Sequence, residues 1–304
     1  MEIIVALFAC IFFTYIAGFV HLFIVDSPAR GDIAEWHQKV LAGNAESPNQ
    51  YRPGAYLLAE LMRRAFSWNI VVAYNHERML FTFAMGFLSF FFYRRFLPYG
   101  WSLAAIGWFY AVLPYTYIGY GHQPADPIFA MFFVLGYLAM AYGAPSWVIL
   151  ISATSAFFRE TSILIPLYGL FIEFNLKPLR GVIVRFMLGI VGVILVYGLI
   201  RWFYGPAEHP DPWIMLGINI EDDIWRRYFL TLTLLPGVLV IWCWKGLDPF
   251  LKRSMYFLLV FLIIHFIFAR FGETRLLLPM MPLLICSALA GLRWKLGTYD
   301  GGKC

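Results

Sequence analysis

The stretch that decides the fold class is IIVALFACIFFTYIAGFVHLFIV, Ile3–Val25, which holds no acidic or basic residue except His21. A helix needs about 20 apolar residues to cross the hydrocarbon core of a bilayer, and this run is long enough. A secretory signal peptide would start with basic residues, carry a shorter apolar run and end in a small-residue cleavage site. The run has none of these features, so we predict a retained membrane helix.

Further apolar runs of similar length follow along the chain. The sequence is 61% hydrophobic and 13% charged, with a mean hydropathy of +0.71. A soluble domain is about half apolar and a quarter charged. The runs are continuous, whereas β-barrel strands alternate apolar and polar residues. We therefore predict an all-α membrane fold in a single domain, residues 1–304. The other predicted spans are Met79–Tyr93, Trp101–Ile118, Ile128–Tyr142, Val182–Ile200, Tyr228–Trp244, Met255–Ala269 and Leu276–Leu292.

Loop charge predicts the topology, because short cytoplasmic loops are enriched in Lys and Arg. An inside N-terminus gives the inner side 11 of the 23 basic residues and few acids, provided that Ser146–Phe174 crosses the membrane twice. The outer loops hold basic residues too, but they also hold most of the acids. A single helix there would hold Arg159 and Glu160 in mid-bilayer, at high cost. We therefore predict a hairpin of two short helices, about ten crossings, and cytoplasmic termini in a plasma or inner membrane.

The first outer loop, residues 26–78, is too long to be a simple connector, and loops of this length are usually functional. Residues 31–41 are typical of an amphipathic helix lying in the membrane interface. Its apolar face would hold Ile33, Trp36, His37, Val40 and Leu41. A second helix through Phe66 would turn Leu57, Leu58, Leu61, Met62 and Ala65 inward.

Two acidic motifs have an ordinary structural interpretation. Asp32 and Glu35 have the spacing of a capping box, in which each side chain accepts hydrogen bonds from backbone N–H groups at the start of a helix. Asp126 before Pro127 is typical of a cap followed by proline at the first helical position. For each pair, helix capping and a functional role remain alternatives.

Several motifs together resemble a known superfamily. They are Asp32 followed by a helix, Leu41-Ala42-Gly43, Tyr51-Arg52-Pro53-Gly54-Ala55-Tyr56, His122-Gln123-Pro124-Ala125-Asp126, Phe158-Arg159-Glu160-Thr161 and the segment from Glu273-Thr274-Arg275 to Leu284. This order resembles the GT-C membrane glycosyltransferases, such as protein mannosyltransferases and lipid A aminoarabinose transferases, over residues 1–292. The resemblance implies sugar transfer from a polyprenyl-phosphate donor at the outer face. Many members also carry a large soluble C-terminal domain, which this smaller chain lacks, so a lipid or small-glycan acceptor is expected.

The chemistry of such a transfer needs a general base for the acceptor hydroxyl and cations for the leaving phosphate. We predict Asp32 as the base, with Glu35 as a further catalytic candidate. Arg275, Arg159 and Arg52 are predicted to bind the donor phosphate. The predicted sugar and acceptor pocket holds Tyr51, His122, Asp126, Glu160 and Glu273. For the arginines the alternative is local pairing, of Arg159 with Glu160 and of Arg275 with Glu273.

Other features narrow the function further. Many relatives space two loop acids as Asp-x-Asp, but Asp32-x-x-Glu35 does not support a divalent cation, so no metal or cofactor is expected. The net charge of +5 comes from span ends, and we predict membrane lipid rather than nucleic acid as a partner.

His265 is interpreted as a packing residue, with a proton relay as the alternative. Two other functions remain open, namely a transporter or flippase of lipid-linked saccharides and a non-catalytic assembly partner.

Overall fold

A computed structural model describes residues 1–24, 29–116, 125–174, 176–208, 212, 214–221, 224–270 and 273–299. This part of the chain is 84% helical and contains no β-strand, so the all-α prediction is confirmed for it. The helices are α1 (Glu2–Ile24), α2 (Ala29–Leu41), α3 (Pro53–Phe66), α4 (Ile70–Arg94), α5 (Tyr99–Val112), α6 (Ala125–Ala141), α7 (Trp147–Ala156), α8 (Leu164–Glu173), α9 (Leu179–Tyr204), α10 (Leu216–Glu221), α11 (Ile224–Trp242), α12 (Pro249–Phe268) and α13 (Met281–Tyr299).

Four stretches in the described ranges are long and apolar enough to cross a membrane. They are Glu2–His21, Leu179–Tyr204, Pro249–Phe268 and Thr274–Gly297. The last of these is 89% buried within the protein, against 17% for Leu179–Tyr204. The C-terminal span is therefore the centre of the bundle, while α9 lies at its edge with most of its side chains facing outward.

Helix α4 runs antiparallel to α1 and packs against both α1 and α6. Arg94 at its end pairs with Glu2 across 3.2 Å, and Met79 nearer its start contacts Gly18. The hydroxyl of a buried tyrosine needs a hydrogen-bond partner within the protein, and such a bond can join two helices. Tyr137 of α6 donates to the carbonyl of Pro279 across 2.9 Å. These contacts fix the start of the C-terminal span against α6.

Helices α7 and α8 form an antiparallel hairpin, as the interrupted apolar stretch predicts. The Oγ atoms of Ser155 and Ser162 lie 2.7 Å apart near the tip, and Val148 contacts Gly169 near the open end. The turn between the helices carries Arg159 and the 3₁₀ segment Glu160–Ile163. The hairpin packs closely on α9, since small residues at a helix interface let backbones approach. The tip therefore projects to the same end of the bundle as the C-terminus of α9.

Helices α2 and α3 in the first loop are present, and the predicted apolar face of α2 is confirmed. His37 and Val40 are buried against Tyr56, Ala59 and Tyr74. Helix α2 already begins at Ala29, so Asp32 and Glu35 lie within it and the capping-box interpretation is wrong.

The predicted inward face of α3 is wrong for three of its five residues, whereas Leu58 is partly buried against a cluster that includes Ala125 and Ile128. Leu57 and Leu61 are exposed, at 42% and 63%, and Ala65 is exposed as well. The buried face holds the smaller residue Ala55 and the ring of Tyr56. In a bilayer, leucines gain little by facing protein instead of lipid, so apolar spacing alone does not tell which face turns inward.

Candidate functional site

Asp126 is the centre of a buried charge network near the start of α6. Arg159 of the hairpin tip donates through Nη1 to Oδ1 of Asp126, and Arg275 donates through Nη1 to Oδ2 across 3.2 Å. All three side chains are nearly inaccessible to solvent. Asp126 is used as a shared counter-ion, so its interpretation as a helix cap is wrong. It lies behind the two arginines, and it is not among the residues that line the cavity described below.

Two further ion pairs extend the network. Arg52 donates through Nε to Glu160 across 2.8 Å and through Nη2 to its other oxygen. Arg275 also bonds Glu273, with Nε donating across 3.1 Å. The predicted local pair of Arg275 with Glu273 is confirmed, whereas Glu160 takes its hydrogen bonds from Arg52 and not from Arg159.

The environment of Glu160 makes it a weak base. Burial opposes ionisation of the carboxylate, but the charge of Arg52 and its hydrogen bonds outweigh burial and lower the pKa of Glu160 to about 2. At neutral pH Glu160 is therefore an anion that holds Arg52 in place.

The three predicted arginines converge on one cavity of about 370 Å³. Its charged lining residues are Arg52, Arg159, Arg201, Arg270, Arg275, Glu160 and Glu273. Five arginines against two glutamates leave an excess of positive charge. A cavity with this lining is suited to an anion.

The cavity lies at one end of the candidate spans. Its lining includes Tyr197 and Arg201 from the end of α9, Phe268 from the end of α12, and Leu276 from the start of the C-terminal span. Three of the four spans thus contribute residues from the same end. The cavity therefore lies where these candidate spans end.

Two lining side chains keep unused hydrogen-bonding atoms. The Nε of Arg159 and the Oγ1 of Thr161 are buried and have no partner within the described part of the chain. Buried polar groups normally have partners, because leaving one unsatisfied costs about 1–3 kcal/mol. Both atoms are enclosed by protein beside the cavity and leave part of its wall without internal hydrogen bonds.

Tyr51 supports the cavity from behind and does not line it, which corrects the predicted sugar contact. Its hydroxyl donates to the carbonyl of Gly205 across 2.9 Å and accepts from the N–H of Ala207 across 2.8 Å. The guanidinium of Arg201 stacks on the rings of Tyr51 and Tyr197, 4.5 and 5.2 Å from their centroids. Tyr51 therefore joins the first loop to the end of α9 and holds Arg201 at the cavity.

Gly54 lets the first loop approach the hairpin tip. Its N–H donates to the carbonyl of Phe157 across 3.1 Å, and a Cβ at this position would lie 2.7 Å from the ring of Phe158. A side chain here would force the two segments apart. The glycine therefore keeps Arg52, two residues earlier, within reach of Glu160.

Three predicted site residues remain, and the structure describes the side chain of one of them, Glu35. Glu35 is exposed and pairs with Lys39 across 2.7 Å on the same helix, so its catalytic assignment gains no support from its contacts. It is not among the residues that line the cavity. His122 and the side chain of Asp32 lie outside the described residues.

Three basic cavity residues were not among the predicted site residues, namely Arg201, Arg270 and His265. Both arginines lie at span ends, where a basic side chain usually extends along the helix to reach water. Their positions in the sequence therefore give no separate indication of a binding site. His265 is buried, as the packing interpretation predicts, and its ring nitrogen Nδ1 bonds the carbonyl of Phe261 across 2.9 Å. It nevertheless lines the cavity. Among the described residues, no group of three His, Cys, Asp or Glu side chains could hold a metal ion.

Fold and site together define a helical protein with candidate membrane spans and an arginine-rich cavity at one end of them. No family model, no curated protein and no solved structure matches the chain.

Proposed function

We propose that this protein is a membrane glycosyltransferase that moves a sugar from a polyprenyl-phosphate donor to a lipid or small-glycan acceptor. The observation that carries the proposal is the convergence of Arg52, Arg159 and Arg275 on one cavity at one end of the candidate spans. These arginines come from the first loop, the hairpin and the last span, which are the segments that resemble the GT-C superfamily.

A phosphate suits the cavity better than a carboxylate does. Several guanidinium groups line it, and arginine recognises phosphate oxygens through paired N–H donors. Acidic partners already hold Arg52 and Arg275 in fixed orientations, so little side-chain freedom is lost on binding. The Nε–H of Arg159 is enclosed by protein and lacks a partner among the described residues, so a phosphate would reach it once the Arg159 side chain turns toward the cavity.

An apolar groove close to the cavity supports a lipid-linked donor. It has a volume of about 370 Å³, and it is lined by Pro53, Leu57, Phe157, Leu199, Ile200, Trp202, Phe203 and Tyr204. Pro53 of the groove directly follows Arg52 of the cavity, and Ile200 of the groove directly precedes Arg201 of the cavity. The groove and the cavity are therefore neighbours, separated by these two chain segments. A prenyl chain in the groove would place its phosphate near the arginines.

In the proposed reaction the acceptor hydroxyl attacks the anomeric carbon, and the bond from that carbon to the phosphate oxygen breaks. The polyprenyl phosphate leaves with both bonding electrons, the configuration at the sugar carbon inverts, and a base takes the hydroxyl proton. Glu160 and Glu273 are each hydrogen-bonded to an arginine, and Arg52 lowers the pKa of Glu160, so that Glu160 is a poor base at neutral pH. We therefore propose Asp32 on α2 as the base.

We further propose that the chain crosses the membrane about ten times, with both termini cytoplasmic and the cavity at the outer face. The α7–α8 hairpin supports this topology, because two short crossings bring Lys177, Arg180 and Arg185 to the cytoplasmic side. Labelling of a cysteine introduced at Lys177 from the outside of intact cells would contradict it.

A transfer assay tests the proposed function directly. The purified chain in liposomes receives polyprenyl-phosphate sugars labelled in the sugar and a lipid or glycan acceptor fraction, and labelled product is measured. We expect transfer by the native protein and none by Asp32→Asn, which keeps the side-chain shape and loses its basicity. Glu35→Gln is the matched control, since it lies on the same helix but is exposed and paired with Lys39. Normal transfer by Asp32→Asn would show that another group is the base.

A further inference from the structure

A second groove lies at the opposite end of the bundle from the arginine-rich cavity. It lies between α8 and α12, has a volume of about 470 Å³, and is lined by Leu170, Phe171, Phe174, Arg253 and Tyr256. Arg253 precedes the cavity residue His265 by twelve positions on α12, which is about 18 Å along a helix axis. The two sites are therefore separate.

The groove is open to the surroundings of the protein along its apolar wall. Phe174 and Tyr256 are 49% and 55% exposed, and four of the five lining residues are apolar or aromatic. Because Pro249–Phe268 is a candidate span, a groove near its start faces the headgroup and upper chain region of one leaflet. The surroundings at this depth are lipid on one side and water on the other.

Arg253 is the charged group of this groove. It is partly buried and donates through Nη1 to the carbonyl of Ile172, in the last turn of α8, across 3.0 Å. It forms no ion pair with any described acidic residue, whereas the nearby Arg185 is neutralised by Glu173 across 2.7 Å. A guanidinium has five N–H donors, so Arg253 keeps capacity for an external anion.

We infer that this groove binds an anionic phospholipid of the adjacent leaflet, with its phosphate on Arg253 and an acyl chain along Leu170, Phe171 and Phe174. The charge and the apolar wall together select this ligand, because a soluble anion would not use the wall and the choline cation of a zwitterionic lipid would lie beside the arginine. Basic pockets between helices at a membrane surface bind anionic headgroups in this way. The inference does not depend on the proposed glycosyltransferase activity.

The test is lipid binding to the full chain purified in mild detergent, measured by native mass spectrometry. Phosphatidylglycerol and phosphatidylcholine with identical acyl chains are titrated separately. We expect tighter binding of phosphatidylglycerol, and we expect Arg253→Gln to weaken it about fivefold to tenfold, the effect of one cationic contact near a membrane surface. Lys252→Gln is the matched control, because it removes the same charge from the adjacent position but Lys252 does not line the groove.

Three results would overturn the inference. Arg253→Gln could bind phosphatidylglycerol as the native protein does, or Lys252→Gln could lose as much binding as Arg253→Gln, which indicates diffuse charge. Inorganic phosphate could also displace phosphatidylglycerol at low millimolar concentration, which indicates a site for free phosphate. If Arg253→Gln fails to fold, lipid binding is measured for Leu170→Trp instead, because the larger side chain fills the apolar end of the groove. Loss of lipid binding in that variant supports the site, and unchanged binding contradicts it.

Discussion

Arg275 donates from Nη1 to Oδ2 of Asp126 across 3.2 Å, although 149 residues separate the two in the chain. Asp126 accepts from Arg159 through its other oxygen. One carboxylate near the start of α6 thus fixes one arginine from the α7–α8 hairpin and one from the start of the C-terminal span. In our account this shared counter-ion keeps two cations close together without a ligand.

Replacing Asp126 by Asn should destabilise the protein strongly. The substitution leaves Arg159 and Arg275 buried without their common anion, and breaking a buried pair in this way costs about 3–5 kcal/mol. Thermal unfolding in detergent measures the effect. Glu2→Gln is the control, because its pair with Arg94 is partly exposed and should contribute at most about 1 kcal/mol. Equal melting temperatures for the two variants would mean that Asp126 is not the central counter-ion.

The Arg52–Glu160 pair predicts an acid-sensitive contribution to stability. The pKa of Glu160 falls from its ordinary value of 4.5 to about 2 on folding. A lowered folded-state pKa stabilises the protein fully above pH 4.5, and the stabilisation is lost as the pH falls from 4.5 to 2. The difference in melting temperature between the native protein and Glu160→Gln should therefore be large at pH 6 and shrink towards pH 3. A difference that stays constant over this range would rule out the pair as a source of acid sensitivity.

Gly54→Leu should separate the first loop from the hairpin tip. Even the Cβ would lie 2.7 Å from the ring of Phe158, and overpacking of this kind costs about 1–3 kcal/mol. We expect a lower melting temperature and weaker donor binding, because Arg52 moves away from Glu160. Gly107→Ala is the control, since no atom lies within 4 Å of a Cβ there and alanine favours a helix. Donor binding by Gly54→Leu at the native level would show that this close approach does not position Arg52.

The sequence predicts the hairpin and the convergence of Arg159 with Arg275 for one physical reason, and it predicts the helical fold for another. Charged side chains beside apolar helices are costly in a membrane protein, so they mark the interruptions of spans and collect together. Continuous apolar runs predict helices directly, because within lipid only a helix forms all the backbone hydrogen bonds inside such a run. The prediction of about ten crossings still awaits a test.

Partner identity and helix orientation could not be predicted in the same way. Arg159 and Glu160 are neighbours, but Arg159 has an extended backbone with φ −162° and ψ 137°. Successive side chains of an extended segment point in opposite directions, so Arg159 turns to Asp126 and Glu160 turns to Arg52. The role of Tyr51 depends on contacts with residues that follow α9, more than 150 positions away, and no local pattern encodes them.

The most direct test of the central claim is the binding of polyprenyl phosphate, without a sugar, to the purified protein. Arg159→Gln removes a guanidinium group that lines the cavity, and the loss of charged hydrogen bonds should weaken binding about 10-fold to 100-fold. Arg95→Gln is the control, because Arg95 is exposed at the other end of α4 and bonds only the carbonyl of Ala141 among described residues. We expect this variant to bind as the native protein does. If folded Arg159→Gln binds polyprenyl phosphate with native affinity, the cavity is not the phosphate site.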